Sequence, residues 1–393
     1  MLPLVGLLLA VFLDLFGLGI LRPVLPLYVQ GTFGVDVLRV SWIPAAFGVG
    51  KLLSDVPASL LMDRVGRGRT MAAGLALVAT TDILSGLEPA FPRFLLWRAL
   101  AGVGFGFFVT TAATMVLDLA PATGRGRYMG SYLLVGDVGA VLGTVAGGWV
   151  YEQLGPRIPF FVKAAFVASA ALLAGGVSVP STVQAGGVRG SVRTAFGLPG
   201  LLPVSVVNMI LFMADVGILT ILFPLFLDAR GLPPRVIGLF VALTVSAQLT
   251  ALVAGGRLAD RWGKVPVLGP ALCLYASGLV SLSMTRSSEQ ILLAALVIGL
   301  GSGVGRAIPG ALVGDLSSPS RRGAAMGVFR AFTDIGMIGG PGLLGLLAAR
   351  AGYNSAFFAT AGLLIASAGM LMLMRTGLFD SSGRAKRPPL STV

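Results

Sequence analysis

Histidine is absent from this chain of 393 residues, and it holds a single cysteine, Cys273. A disulfide framework therefore has no second thiol, and Cys–His nucleophilic chemistry and the usual zinc sites lack their ligands. Charge is scarce as well: 11% of residues are Asp, Glu, Lys or Arg, where a soluble domain carries about 25%. Acids are scarcest, 16 against 29 basic residues, which leaves a net charge of +13. What fills the chain is apolar: 55% of it is hydrophobic, and 56 further residues are glycine. No soluble fold covers such a composition with polar surface, and disorder and collagen are excluded by the same numbers. The composition specifies a membrane protein.

A membrane helix needs about 20 mostly apolar residues. Twelve stretches meet that length, at 4–28, 41–62, 70–87, 92–117, 128–150, 159–179, 201–227, 235–256, 266–284, 290–312, 324–347 and 354–374. The loops between them are too short for a soluble catalytic domain. The first stretch lacks a basic flank and a small-residue cleavage site, so it is expected to be retained as a span. Orientation follows from the basic residues. With the N-terminus inside, sixteen Lys and Arg fall on the cytoplasmic side and eight on the other. Both termini are thus expected in the cytoplasm, in a multi-pass protein of the cell's inner (plasma) membrane. The basic excess reads as a topology signal and not as a nucleic-acid surface.

The sequence also repeats itself. Asp63-Arg64-Val65-Gly66-Arg67 recurs as Asp260-Arg261-Trp262-Gly263-Lys264, shifted by 197 positions. The same shift carries Gly102, Gly104 and Gly106 onto Gly299, Gly301 and Gly303, Asp118 onto Asp315, and Asp137 onto Asp334. It also carries Gly139, Gly143 and Gly148 onto Gly336, Gly340 and Gly345. The expected fold is therefore all-α, with 12 transmembrane helices in two pseudo-symmetric six-helix bundles. Residues 1–180 would form the first bundle and 201–375 the second, with a cytoplasmic linker over 181–200 and a basic tail over 376–393. Parallel halves of this kind are one of the designs of secondary transporters.

Three motifs sharpen that expectation. Ser59 to Arg67, with Asp63, Arg64 and Gly66, and its copy Gly256 to Lys264, with Asp260, Arg261 and Gly263, resemble motif A of the major facilitator superfamily. In physical terms, a small residue at a helix end admits a neighbouring helix, an Asp one turn later caps or pairs, and the basic residues hold the loop in the cytoplasm. Ser59 stands where the motif has Gly. Arg98-Ala99-Leu100-Ala101-Gly102 resembles the superfamily's motif B, an Arg buried in the membrane. Gly139 to Gly148, with Gly143 and Gly147, resembles motif C of its antiporter branch, although Thr144 replaces the proline. Gly336 and Gly340-Pro341 restore that proline in the second half. The first span, Leu13-Asp14-Leu15-Phe16-Gly17 through Pro26, is similar to that of drug:proton antiporters, tetracycline exchangers included, and Asp82 sits where that group carries an Asp. Span 9 lacks the acid those exchangers have there.

Eleven ionisable residues fall within the spans: Asp14, Lys51, Asp55, Asp82, Arg98, Asp137, Lys163, Asp215, Arg306, Arg330 and Asp334. In lipid, together, they would cost on the order of 30 kcal/mol, so most must face a cavity or one another. Lys51 with Asp55 and Arg330 with Asp334 stand four residues apart on a helix. Each pair reads either as mutual neutralisation or as a site that opens when substrate or a proton takes one partner. Asp14 and Asp215 lie mid-span with no basic residue on the adjacent turns. Without histidine, proton coupling must use carboxylates, and Asp14 is the first candidate, as a coupling or substrate-cation site or as a structural hydrogen-bonding group. Arg98 either modulates a nearby carboxylate or holds span 4 to span 1. Lys163 and Arg306, nearer span ends, are expected to snorkel. Phe12, Phe16, Phe47, Phe105, Phe107, Phe108, Phe212, Phe223, Met209 and Met213 suit a broad apolar pocket, and equally suit plain packing.

What the resemblance implies is a proton-coupled secondary transporter, not an enzyme, exporting an amphipathic small molecule by alternating access. Its expected partners are a small-molecule substrate, protons and the lipid bilayer, with no nucleic acid, cofactor or metal, and a monomer is expected. Uptake or exchange of a sugar, organic acid or other metabolite at Lys51 and Asp55 stays open, as does a non-transporting sensor. Gly301-Ser302-Gly303-Val304-Gly305 lacks the Lys-Ser/Thr of a phosphate loop, so ATP is not the expected driver.

Overall fold

The computed structural model describes residues 2–121, 124–176, 198–318 and 321–378. Most of the expected linker and of the basic tail lies outside the described residues. Among those described, twelve helical segments are long and apolar enough to cross a membrane. Helix α1 (Leu2–Leu21) passes through a turn at Pro23 into α2 (Leu25–Phe33), which Gly34 ends. The short α3 (Val37–Val40) begins on Asp36, whose Oδ1 accepts the Arg39 N–H at 2.9 Å, and leads into α4 (Trp42–Val65). Helices α5 (Arg67–Leu87), α6 (Phe91–Leu119), α7 (Arg125–Leu154) and α8 (Ile158–Gly175) complete the first six spans.

Span 7 is not one continuous helix. α9 (Leu201–Ala214) gives way to a π-helical stretch, Asp215–Leu222, and then to α10 (Phe223–Ala229). α11 (Pro234–Trp262) and α12 (Lys264–Ser283) follow. Span 10 is divided into α13 (Ser288–Ala307) and α14 (Pro309–Leu316), because Pro309 has no N–H to give the Gly305 carbonyl. α15 (Arg322–Ala351) and α16 (Tyr353–Leu378) close the described chain.

In lipid the apolar surface of a helix gains little by meeting another apolar surface, so small residues and close backbone approach decide which helices pair. Gly139, Gly143 and Gly147 turn one face of α7 against α1, where any Cβ would strike the Phe12, Phe16 or Ile20 carbonyls. Their repeat partners Gly336 and Gly340 do the same for α15 against Met209 and Met213 of α9. Gly102 and Gly106 seat α6 on Phe47, Lys51 and Ser54 of α4; Gly299 and Gly303 seat α13 on Thr244 and Gln248 of α11. The 197-residue offset is thus a repeat of helix pairing as well as of letters. α5 pairs with α6 and α8, and α12 correspondingly with α13 and α16.

Two compact units result. One holds Met1–Ala185 together with Leu219–Ala242; the other holds Gly186–Ile218 and Leu243–Val393. The first has a core of Leu7, Val11, Met71, Leu75, Phe108, Met115 and Val167, drawn from α1, α5, α6 and α8. Within that same unit the start of α11 lies on the end of α7. Glu152 accepts the Arg235 N–H at 3.0 Å and pairs with its guanidinium at 3.5 Å, and Gly148 meets Pro234 and Gly238.

Candidate functional site

Among the described residues, each unit holds a cluster of membrane charges around one Asp. In the first, Asp82 of α5 is the hub. Its Oδ1 accepts Arg98 Nη2 of α6 at 2.6 Å, and its Oδ2 pairs with Lys163 Nζ of α8 at 2.8 Å. Ser85, one turn along α5, accepts Arg98 Nη2 and Nε at 2.9 and 3.2 Å. The three ionic side chains are at most 3% exposed. Phe94 and Phe160 place their rings 5.7 Å from the Arg98 guanidinium and help exclude water.

Asp14 of α1 belongs to the same group. It is 1% exposed, interacts electrostatically with Lys163 and Asp82, and its Oδ2 has no hydrogen-bond partner among the described residues. Gly17, one turn on, lets the Lys163 stem cross α1, since a Cβ there would lie 3.0 Å from Lys163 Cγ. The snorkelling expected of Lys163 is therefore corrected. A carboxylate at 2.8 Å inside the bundle holds the ammonium more favourably than a path to the interface through packed helices. Arg98, expected near a carboxylate or between spans 4 and 1, is tied to span 3.

In the second unit Asp215, Gln248 and Ser302 occupy the midpoints of spans 7, 8 and 10. Gln248 Nε2 donates to Asp215 Oδ1 at 2.7 Å and to Ser302 Oγ at 3.1 Å, while its Oε1 accepts Arg306 Nη1 at 3.3 Å. Arg306 approaches Asp215 Oδ2 at 3.6 Å. It stands one turn from the middle of span 10, because α14 carries that span on to Leu316. Arg306 is thus held in this network and not snorkelled, which corrects the expectation for it. Nearby, Asn208 Nδ2 donates to Thr333 Oγ1 at 2.7 Å, joining α9 to α15.

Motif A forms a matched pair of turns. Gly66 and Gly263 have φ of 96° and 93°, where a side chain would be strained, and each starts the next helix with a basic residue. Arg67 pairs with Asp118 at the end of α6, and Lys264 Nζ pairs with Asp315 Oδ2 at 2.5 Å while donating to the Ala311 carbonyl at 3.1 Å. The close approach expected at Gly256 falls one residue earlier: a Cβ at Gly256 would meet nothing, whereas one at Gly255 would press on Val304. Arg64, Asp260 and Arg261 are exposed and Ser59 is half-buried. Asp55 and Asp63 lie on α4, but their side chains are outside the described residues. Lys51 and Asp137 are half-buried on α4 and α7, and Arg330 and Asp334 stand one turn apart on α15, exposed and half-buried. Pro341 lies against Gly217 in span 7.

Of the residues singled out in the sequence, Asp14, Asp82 and Arg98 come together, and Asp215 stands apart from them in the other unit. Ser85 and Ser302 are the members that sequence patterning missed, while Lys163 and Arg306 were counted among the membrane charges but placed toward the span ends. For Gln248 a signal existed, since the repeat places it opposite Lys51.

Twelve spans in two repeated halves, with paired charges inside the bundle, are the build of a membrane transporter and not of an enzyme. The chain belongs to the Major Facilitator Superfamily, whose family model matches residues 7–204 and 204–391. It is 27% identical over 374 residues to the multidrug resistance protein MdtG of Citrobacter koseri, covering 91% of each chain. Its fold is similar to that of a bacterial homolog of the human lysosomal transporter Spinster, solved inward-facing and occupied. That match has a TM-score of 0.82 and 14% identity, and covers 98% of each chain. The nucleoside transporter NupG is similar as well, with a TM-score of 0.78 at 16% identity, covering 95% of this chain and 99% of that one.

Proposed function

We propose that the protein exports amphipathic small molecules in exchange for protons, by alternating access. The observation that carries this reading is the buried Asp14 with its unpartnered oxygen beside Lys163 and Asp82, the carboxylate that also holds Arg98. Ionised, Asp14 makes the group two carboxylates against two cations. Protonated, it leaves one positive charge in excess in a low-dielectric interior, where that imbalance is worth far more than in water. A proton at this one atom therefore changes which arrangement of the surrounding helices is favoured, and coupling requires such a change. The full-length similarity to a multidrug resistance protein supports export as the direction. The protein acts as a monomer in the inner membrane with both termini in the cytoplasm.

Reconstitution into liposomes under an imposed pH gradient tests the reading with a panel of amphipathic dyes. The wild type is expected to move dye against its gradient, and Asp14→Asn to lose that movement while eluting as the same monodisperse species. Undiminished gradient-driven flux in Asp14→Asn would remove Asp14 from coupling. Dye accumulation in expressing cells, in place of depletion, would replace export by uptake.

A further inference from the structure

Neither the transport reading nor the family match assigns a role to Arg306, and its surroundings are unusual for a cation in the middle of a span. Its side chain is 39% exposed, while the carboxylate beside it, Asp215, is 13% exposed. At 3.6 Å the ion pair is loose, and Gln248 is wedged into it, donating to Asp215 and accepting from Arg306. The hydrogen bond and the ion pair of the guanidinium are both made through Nη1; Nε and Nη2 donate to nothing among the described residues. A guanidinium has five N–H donors in a planar fork, so the edge of the fork that fits a carboxylate is open. The Phe212 ring, 5.9 Å from that guanidinium, supplies an apolar neighbour.

Three further features converge on the same place. The Tyr275 hydroxyl of α12 is buried without a hydrogen-bond partner among the described residues, and Tyr275 packs against Gly301 of α13, next to Ser302. Span 7 changes from α- to π-helix at Asp215, and span 10 breaks two residues beyond Arg306, before Pro309. Irregular backbone at mid-membrane depth is tolerated where it is enclosed by protein or lines a water-filled space, and π-helical turns frequently mark functional sites. Discontinuous helices near the midplane are also where secondary transporters bind their substrates.

We propose that Arg306 is a substrate-recognition residue, whose free edge takes the carboxylate of an amphipathic organic anion, with the apolar part of the ligand against Phe212. Gln248 makes the exchange feasible. When the guanidinium turns to a ligand, Asp215 keeps its 2.7 Å donor and is not left bare. The inference rests on the transport reading but not on Asp14, which lies in the other unit.

The test is equilibrium binding to the purified full-length protein in nanodiscs, read by fluorescence with two probes of nearly equal shape, dansylglycine and dansylglycinamide. The wild type is expected to bind the acid at least about tenfold more tightly than the amide, the size of one well-made charged hydrogen-bond pair. Arg306→Gln should lose that preference through weaker binding of the acid, with the amide unchanged. If Arg306→Gln does not fold, Arg306→Lys, which keeps the charge and loses the fork, should still bind the acid several-fold more weakly than wild type. Equal affinity for the two probes, no binding of either, or unchanged acid binding in both variants overturns the proposal. Asp14→Asn separates it from the transport reading. Lost proton-driven flux with intact dansylglycine binding supports both, whereas binding at Arg306 in a wild type that shows no proton-driven flux sinks the transport reading alone.

Discussion

The two halves share a sequence repeat and a pattern of helix pairing, yet they treat charge in opposite ways. In the first unit Asp82, Arg98 and Lys163 are sealed, with partners at 2.6 and 2.8 Å and almost no exposure. In the second, Asp215 and Arg306 lie 3.6 Å apart, partly exposed, with an amide between them. The 197 shift places Leu279, Ala295 and Thr360 opposite the sealed triad, and Leu18 and Val109 opposite Asp215 and Arg306. What the repeat preserves is the scaffold: the glycine crossings and the motif A turns with their ion pairs. What it does not preserve is every charge at the centre. A duplicated fold can thus keep its packing rules in both copies while each copy specialises its polar interior.

Removing single carboxylates should break this contrast most plainly. Asp82→Asn strands two buried cations and is expected to cost about 3–5 kcal/mol, the penalty for breaking a buried pair, seen as a large fall in the melting temperature of the solubilised protein. Asp215→Asn should cost no more than about 1 kcal/mol in the same measurement, because the pair is loose at 3.6 Å and Arg306, partly exposed, keeps Gln248 as a partner. Equal losses would mean that the two clusters do not differ as their geometry indicates. A smaller contrast separates the motif A pairs. Arg67 is buried against Asp118, so Arg67→Ala should destabilise by about 2 kcal/mol, as for a lost charged hydrogen bond in a part-buried site. Lys264→Ala, at an exposed pair, should cost at most about 1 kcal/mol, and less at high salt.

The smallest effect is expected at Glu88, in the loop between α5 and α6. Burial alone would raise its carboxyl, but the Trp97 indole N–H, the Ala90 N–H and Arg93 more than reverse this and hold it below its ordinary value. A carboxyl depressed in the folded state adds stability above its unfolded pKa and loses it as pH falls through the folded one. Glu88→Gln should therefore lower the melting temperature slightly at pH 7 and flatten its decline in acid. An unchanged acid limb would show that this loop contributes nothing to the contrast between the halves.

Much of this was legible in the sequence. The spans follow from runs of apolar residues, and the paired turns at Gly66 and Gly263 from the repeated Asp-Arg-x-Gly run. The pairing of Arg67 with Asp118 and Lys264 with Asp315 lay within reach, since all four fall on the same offset. The sealed triad did not. Lys163 meets Asp82 across 81 positions, and nothing in the periodicity of span 6 tells which way the ammonium turns. Gly17 admits it, yet a glycine in an apolar run announces no partner. The break in span 10 had its proline in plain view, whereas the π-helical stretch in span 7 carries no comparable mark.

That stretch is also a boundary. The border between the compact units crosses span 7 between Ile218 and Leu219, inside the π-helical turns, and crosses span 8 between Ala242 and Leu243. Span 7 is therefore a length of chain held in common, its first half counted with one unit and its second with the other, and Asp215 opens the turns in which it passes from one to the other.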